Sequence, residues 1–328
     1  MVCSLTTLAE GFPMTAALAP TTATRGRTSM QSGLGWALAS AAAFGLSGSL
    51  ARSLLELGWS PAAIVAVRVA GAFVVLVIPC LLLLRRIGLP TGRQTGRMIA
   101  YGTIAVALAQ LCYFSAVQYL SVGVALLLEY LAPVLLIGWH WASSRTRPAL
   151  PVFVGAALSL LGLVFVLDLT GGLTLNPIGV LWGLGAAVCL CAYFVLSEEK
   201  GSTTPVPPLL LTTVGTGVGA IVIMIAGTIG VVPLDARAGV TTLAGSTVMW
   251  WLPVVLLILV TATFAYLSGI VAVRRLGSSV ASFVSLSEVI FAVIFAIVLL
   301  GQQPSISQLV GGILVLAGIA TVQRKSAV

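Results

Sequence analysis

Three ionisable residues stand inside long apolar runs: Arg68, Glu129 and Glu288. An ionised side chain in the middle of a bilayer costs about 2.5–3.5 kcal/mol on insertion scales, so each is a functional candidate. Their chemistry is complementary. A guanidinium grips a carboxylate through two parallel hydrogen bonds, and a carboxylate receives an ammonium through charge-assisted ones. One arginine with one or two glutamates therefore suits an amino-acid zwitterion. A carboxyl group in a dry cavity is also a place where a proton can ride, which makes the proton a candidate coupling ion. The structural counterpart of these readings is an Arg68–Glu129 ion pair that fixes two helices. The two uses are compatible, because a substrate's own charges can compete for the pair.

Ser278, Ser282, Ser285 and Glu288 are spaced by four, three and three residues, which puts them on one side of a helix. That face reads either as a cavity wall or as a close-packing surface of small residues. Gln110 and Tyr113 share a helix face in the same way. Other chemistries find little support. Cys3 lies near the start, and Cys80, Cys112, Cys189 and Cys191 lie inside apolar runs with no second cluster at metal-ligand spacing. They read as small packing residues. Gly45-Leu46-Ser47-Gly48 matches the Gly-x-Ser-Gly pattern of an intramembrane serine protease, whose serine needs a histidine base. His140 is the only histidine in the sequence. With no nucleotide loop or metal-ligand set, no cofactor is expected.

Composition supplies the bilayer. Charged residues make up 7% of the 328 and hydrophobic ones 59%, whereas a soluble domain carries roughly 25% charged residues. So few charges cannot cover a water-facing surface. This excludes a cytosolic enzyme, a secreted disulfide scaffold and a disordered chain. The formal charge of +8 does not signal nucleic acid, because the 16 basic residues are scattered singly and in pairs.

Ten apolar runs reach the length of about 20 residues that a membrane-spanning helix needs. They cover 33–51, 60–84, 98–119, 121–142, 150–168, 177–197, 208–232, 250–273, 278–300 and 305–322. Ser60-Pro61 and Asn176-Pro177 read as helix starts. Residues 1–32 form an expected flexible tail, and 323–328 a short C-terminal one. With the N-terminus inside, one set of loops and tails collects 13 of the 16 basic residues, and the opposite set holds only Arg52 and Arg237. Positive loops mark the cytoplasmic side, so a plasma-membrane protein with both termini cytoplasmic is expected. At about 1.5 Å per residue, Arg68 and Glu129 lie roughly 12 Å below the outer surface and Glu288 roughly 16 Å above the inner one. All three fall in one band near the midplane. His140 falls near the inner face and Ser47 near the outer, so the protease pair cannot meet.

The chain also resembles itself. Shifted by 156, Ala116-Val117 falls on Ala272-Val273, Val124-Ala125 on Val280-Ala281, Pro148 on Pro304, Gly155 on Gly311 and Gly162 on Gly318. Gln110 falls on Tyr266. Shifted by 146, Trp36 falls on Trp182 and Ser47 on Tyr193. Ser47, Gln110, Tyr113, Tyr193 and Tyr266 are therefore expected to line a shared cavity. Two five-helix repeats, over 33–169 and 177–322, are expected. Five is odd, so the second enters the membrane inverted, an arrangement common in transporters with a midplane site. The glycine pairs are expected to form packing grooves between the fifth and tenth helices, and the Gly215, Gly217, Gly219 run either to bend the seventh helix or to pack it.

Ser60-Pro61 with Arg68, the segment Ala125-Leu126-Leu127-Leu128-Glu129-Tyr130-Leu131-Ala132-Pro133-Val134, and Leu286-Ser287-Glu288-Val289 followed by Leu300-Gly301 and Gly311-Gly312 resemble the EamA-type drug/metabolite transporter superfamily. The resemblance covers about residues 33–322. It implies an all-α membrane protein of ten helices and export of small metabolites, often amino acids. It departs at Glu288-Val289, where such families often carry Glu-Pro; without the proline, no kink is expected in the ninth helix. It departs again at Gly301-Gln302, where Gly-Glu is frequent. The alternatives are a channel or passive facilitator and, remotely, the protease. The expected partners are a small-molecule substrate and lipid, with the chain a monomer or homodimer.

Overall fold

The computed structural model describes residues 22–119, 125, 128–145, 149–166, 176–198, 205–301 and 305–326. The order begins α1 (Thr22–Glu56), α2 (Pro61–Ile87) and α3 (Gly92–Ala100). A π-helical stretch (Tyr101–Leu108) continues α3 into α4 (Ala109–Tyr119). Then follow α5 (Ala132–Ser144), α6 (Leu150–Val166), α7 (Pro177–Ser197) and α8 (Pro208–Thr228). A hairpin of β1 (Val240–Leu243) and β2 (Ser246–Met249) precedes α9 (Trp251–Leu256). A second π-helical stretch (Leu257–Phe264) joins it to α10 (Ala265–Leu276). Last come α11 (Ser278–Ser285), α12 (Ser287–Leu300) and α13 (Ile306–Ser326).

Six helices among the described residues are long and apolar enough to cross a membrane, and two shorter apolar ones accompany them. The polarity is inside out. Val74, Ile78, Leu181, Ile221 and Ile313 are each more than 60% exposed, whereas Arg68, Ser159, Thr212, Thr216 and Ser282 are buried. Apolar side chains outward and polar ones inward is the arrangement lipid selects, since polar groups can be satisfied only within the protein. The molecule is thus a polytopic helical membrane protein.

Local chemistry explains the helix starts. Ser60 caps α2 by accepting from Ala63 N, ahead of Pro61 at the first helical position. Asn176 accepts from Ile178 N and Gly179 N ahead of Pro177. The first helix differs from expectation, since it begins at Thr22 and takes in part of the expected tail.

Two irregularities recur. The π-helical stretches begin at Tyr101 and Leu257, 156 residues apart (257 − 101). In each, the N–H after the stretch reaches a carbonyl five residues back: Ala109 to Ile104, and Ala265 to Val260. Helix interruptions also recur. Leu131 N bonds Leu128 O at 3.1 Å before α5, and Leu286 N bonds Phe283 O at 3.2 Å between α11 and α12. The ninth span is therefore broken although it lacks the proline. Ser282 and Ser285 hydroxyls donate to Ser279 O (2.8 Å) and Ser282 O (2.7 Å) in the last turn of α11, and such back-bonding competes with the helix ladder.

Helices α6 and α13 cross through their glycines. A Cβ on Gly155 would sit 2.8 Å from Gly318 O, and one on Gly162 would sit 2.7 Å from Gly311 O. Only residues without side chains allow that approach. Gly162→Leu should therefore force the pair apart, at about 1–3 kcal/mol for overpacking. The purified variant is expected to melt below the wild type in the same detergent; an unchanged midpoint would show that these helices do not touch. The glycines of α8 likewise pack rather than bend: Gly215 against Tyr101, Gly217 against Phe73 and Gly219 against Val106, within one continuous helix.

Sequence reasoning missed the hairpin. Residues Pro233–Trp250 tie the α8 end to the α1–α2 turn. Ser60 N donates to Asp235 O (2.8 Å), Ser60 Oγ to Pro233 O (2.7 Å), Trp59 Nε1 to Arg237 O (2.6 Å) and Thr241 Oγ1 to Ser53 O (2.6 Å). Trp250 lies beside Trp59, with ring centroids 5.9 Å apart and planes tilted by 34°.

Candidate functional site

Arg68 is 6% exposed, two turns along α2 from its Ser60 cap. Its Nη1 donates to Ser47 Oγ of α1 at 2.8 Å. Its Nε is buried and has no hydrogen-bond partner among the described residues. Arg68 forms no ion pair among the described residues, so the expected Arg68–Glu129 pair is absent. The carboxylate within its electrostatic reach is Glu288 of α12. The reason lies in α1. Gly45 brings its backbone so close to α12 that a Cβ there would sit 2.8 Å from Glu288 O. One turn of α1 thus presents Ser47 to Arg68 and seats the Glu288 segment alongside.

Both glutamates flank helix interruptions. Glu129 precedes the Tyr130–Leu131 turn, and Glu288 opens the first turn of α12 after the Leu286 break. A helix N-terminus carries unpaired N–H groups and partial positive charge, a favourable seat for an acid. Tyr130 lies within electrostatic reach of the Glu288 carboxyl. Glu129, Glu288 and Tyr113 of α4 lie within electrostatic reach of one another. The structure therefore assembles Ser47, Arg68, Tyr113, Glu129 and Glu288 from separate elements, and adds Tyr130, which sequence reasoning left out.

An aromatic group adjoins this charged set. Tyr193 of α7 and Tyr266 of α10 have ring centroids 6.3 Å apart. Phe44 stands edge-on to Tyr266 at 5.2 Å, and Tyr101 lies 5.8 Å from Tyr193. Tyr193 is within reach of Glu288. Tyr193 and Tyr266 thus belong to one aromatic cluster rather than standing as isolated hydrogen-bonding groups. Charge beside aromatic surface can hold a ligand with a polar head and an apolar tail.

Other expected residues take different parts. Gln110 is half-buried and makes no hydrogen bond among the described residues. The hydroxyls of Ser282 and Ser285 are donated within their own helix, and Ser282 is fully buried, so at these two positions the face packs. Ser47 accepts from Arg68, and His140 Nδ1 lies 3.2 Å from Ser279 Oγ, so no serine–histidine pair forms at Ser47.

A second polar cluster was not foreseen. Glu198, just past α7, accepts from Ser278 Oγ of α11 at 2.5 Å and pairs with His140 Nε2 of α5 at 3.8 Å. Arg97 of α3 donates to Leu196 O at 2.9 Å and 2.6 Å and also to Glu198 O. Arg274 of α10 donates to Ser197 O at 3.4 Å. Two arginines thus cap the negative end of α7, where cations are favoured. The signal was present in outline: basic residues at helix ends beside a helix whose last carbonyls need donors.

The profile described as the EamA-like transporter family matches the chain twice, over residues 31–168 and 177–323. The chain is 23% identical over 234 residues to the "Uncharacterized inner membrane transporter YicL" of Salmonella typhimurium (strain LT2), covering 70% of this chain and 73% of that protein. A solved structure, described only as "Crystal structure of protein", superposes with a TM-score of 0.71 at 21% identity, over 88% of this chain and 98% of that one. At that identity the likeness speaks for the fold alone.

Proposed function

The chain belongs to the EamA-like transporter family, and from that membership, which makes it a multi-pass membrane transporter rather than an enzyme, we propose that it exports small zwitterionic metabolites of the amino-acid class by alternating access. The observation that carries the substrate class is the gathering of one buried arginine and two glutamates in an otherwise apolar molecule. Arg68 has a buried Nε still to be satisfied. A substrate carboxylate supplies the missing acceptor, with Ser47 holding the other side of the guanidinium. The substrate ammonium falls to Glu129 and Glu288. Two acids against one arginine leave a negative charge over, which an ammonium or a coupled proton offsets. Tyr193, Tyr266 and Phe44 receive the apolar part of the ligand.

Alternating access needs two halves of similar construction. The family profile matches each half, and the π-helical stretches share one offset. The glycine contacts are reciprocal under the 156-residue offset. Gly155 meets Gly318 and Gly162 meets Gly311, so each glycine touches the counterpart of the other. A two-fold-related pair touches in that manner. These facts support ten helices in two inverted repeats, with the site between them and both termini cytoplasmic.

Counterflow in proteoliposomes tests the proposal. Vesicles loaded with unlabelled amino acids should accumulate labelled substrate transiently, which a channel cannot do. Esterifying the substrate carboxylate should abolish exchange. Equal transport of ester and free acid would remove Arg68 from substrate binding. Glu129→Gln and Glu288→Gln are each expected to lower exchange by about tenfold or more, the worth of one charge-assisted hydrogen bond; wild-type rates in both would exclude the acids from the site.

A further inference from the structure

Cys112 of α4 and Cys189 of α7 come from opposite halves of the chain, yet they share one buried cluster with Ala109 and Ala186. Their exposures are 9% and 7%. The two thiols lie within electrostatic reach of each other. Gly185 of α7 makes room for this: a Cβ there would stand 3.3 Å from Cys112 Sγ. Glu129 lies within electrostatic reach of both cysteines. Neither thiol has a part in the zwitterion site.

We propose that Cys112 and Cys189 form a two-coordinate dithiol site for a soft thiophilic cation, for which the mercuric ion is the probe. Soft thiolates select soft ions. No group of three or more histidine, cysteine, aspartate or glutamate residues that could hold a metal occurs among the described residues, so a tetrahedral ion such as zinc lacks its full ligand set. An ion content with two ligands in line does not. On binding, two S–H bonds break and two S–Hg bonds form. Both protons leave to water and no electrons are exchanged. The nearby Glu129 carboxylate favours the arriving cation. Because the bridge ties α4 to α7, it joins the two halves and should arrest exchange; this consequence alone rests on the alternating-access reading.

The test uses full-length protein in detergent carrying C3S, C80S and C191S, so that Cys112 and Cys189 remain. Titration with mercuric chloride, followed by counting free thiols in denaturant, should remove two thiols per ion. Adding Cys112→Ser or Cys189→Ser should cut the loss to one thiol per ion, and an excess of monothiol should strip mercury from these but not from the pair. The alanine versions and a melting midpoint verify that the variants are folded. One thiol lost per ion in the two-cysteine protein, or equal retention by the single-cysteine variants, would overturn the site. If the bridge forms but counterflow persists, the alternating-access reading falls and the dithiol site stands.

Discussion

Arg68→Leu should reduce exchange by about 30-fold to 3,000-fold, because truncating one member of a buried charge-assisted set costs about 2–5 kcal/mol. The variant loses the donor to Ser47 and the positive charge facing Glu288. It also loses the Nε that the proposed substrate carboxylate satisfies. Arg68→Lys keeps the charge but not the planar fork, so it should recover only part of the loss. Membrane-inserted amounts should be similar for all three proteins, since leucine suits the apolar surroundings. The measurement is initial counterflow per folded protein. Wild-type exchange by Arg68→Leu would remove the arginine from the mechanism. Equal collapse of the folded fraction in both variants would make Arg68 a structural residue.

The second large effect is expected at the far cluster. Glu198 ties together Ser278 of α11, His140 of α5 and, through its carbonyl, Arg97 of α3. In the proposed orientation this network lies at the cytoplasmic end and joins helices from both halves, so it is expected to hold the inner side of the proposed site closed. Glu198→Ala breaks the side-chain contacts while the Arg97 contact to its carbonyl remains. A coupling of about 1–3 kcal/mol between latch and conformation corresponds to about a 5-fold to 150-fold change in the open population. The readout is alkylation of a reporter cysteine at Ser40, a buried position on α1 that donates to Ala265 O at 2.8 Å, with the native cysteines replaced. Alkylation should accelerate in Glu198→Ala and in His140→Ala. Unchanged rates in both would show that the cluster closes nothing.

Much of this architecture was legible in the chain because it depends on neighbours in sequence. Ser60 and Asn176 announce their helices through side chains that reach N–H groups two or three residues on. The glycines at 155, 162, 311 and 318 announced a packing groove through their spacing, and they form one. Other features were misjudged where a local rule met a tertiary one. The missing proline at Val289 suggested an unbroken helix, but serine back-bonding and the turn at Leu286 break it regardless. The serine face was open to two readings, a cavity wall or close packing, and three dimensions divide it: Ser282 and Ser285 bond within their own helix, while Ser278 reaches across to Glu198.

The sequence by itself determined the solvent and the all-helical, polytopic class: with 7% charged residues the chain has no way to face water, and its few buried charges mark the candidate site. Which charge meets which was decided only in three dimensions. Depth places Arg68, Glu129 and Glu288 in one band, but a band encircles the whole bundle. Only the close approach of α1 to α12 at Gly45 turns Arg68 toward Ser47 and Glu288. The joining of Cys112 to Cys189 and of Glu198 to His140 depends in the same way on helix packing. Composition and spacing act along the chain, whereas partners are chosen across it, by the few places where small residues let two helices touch.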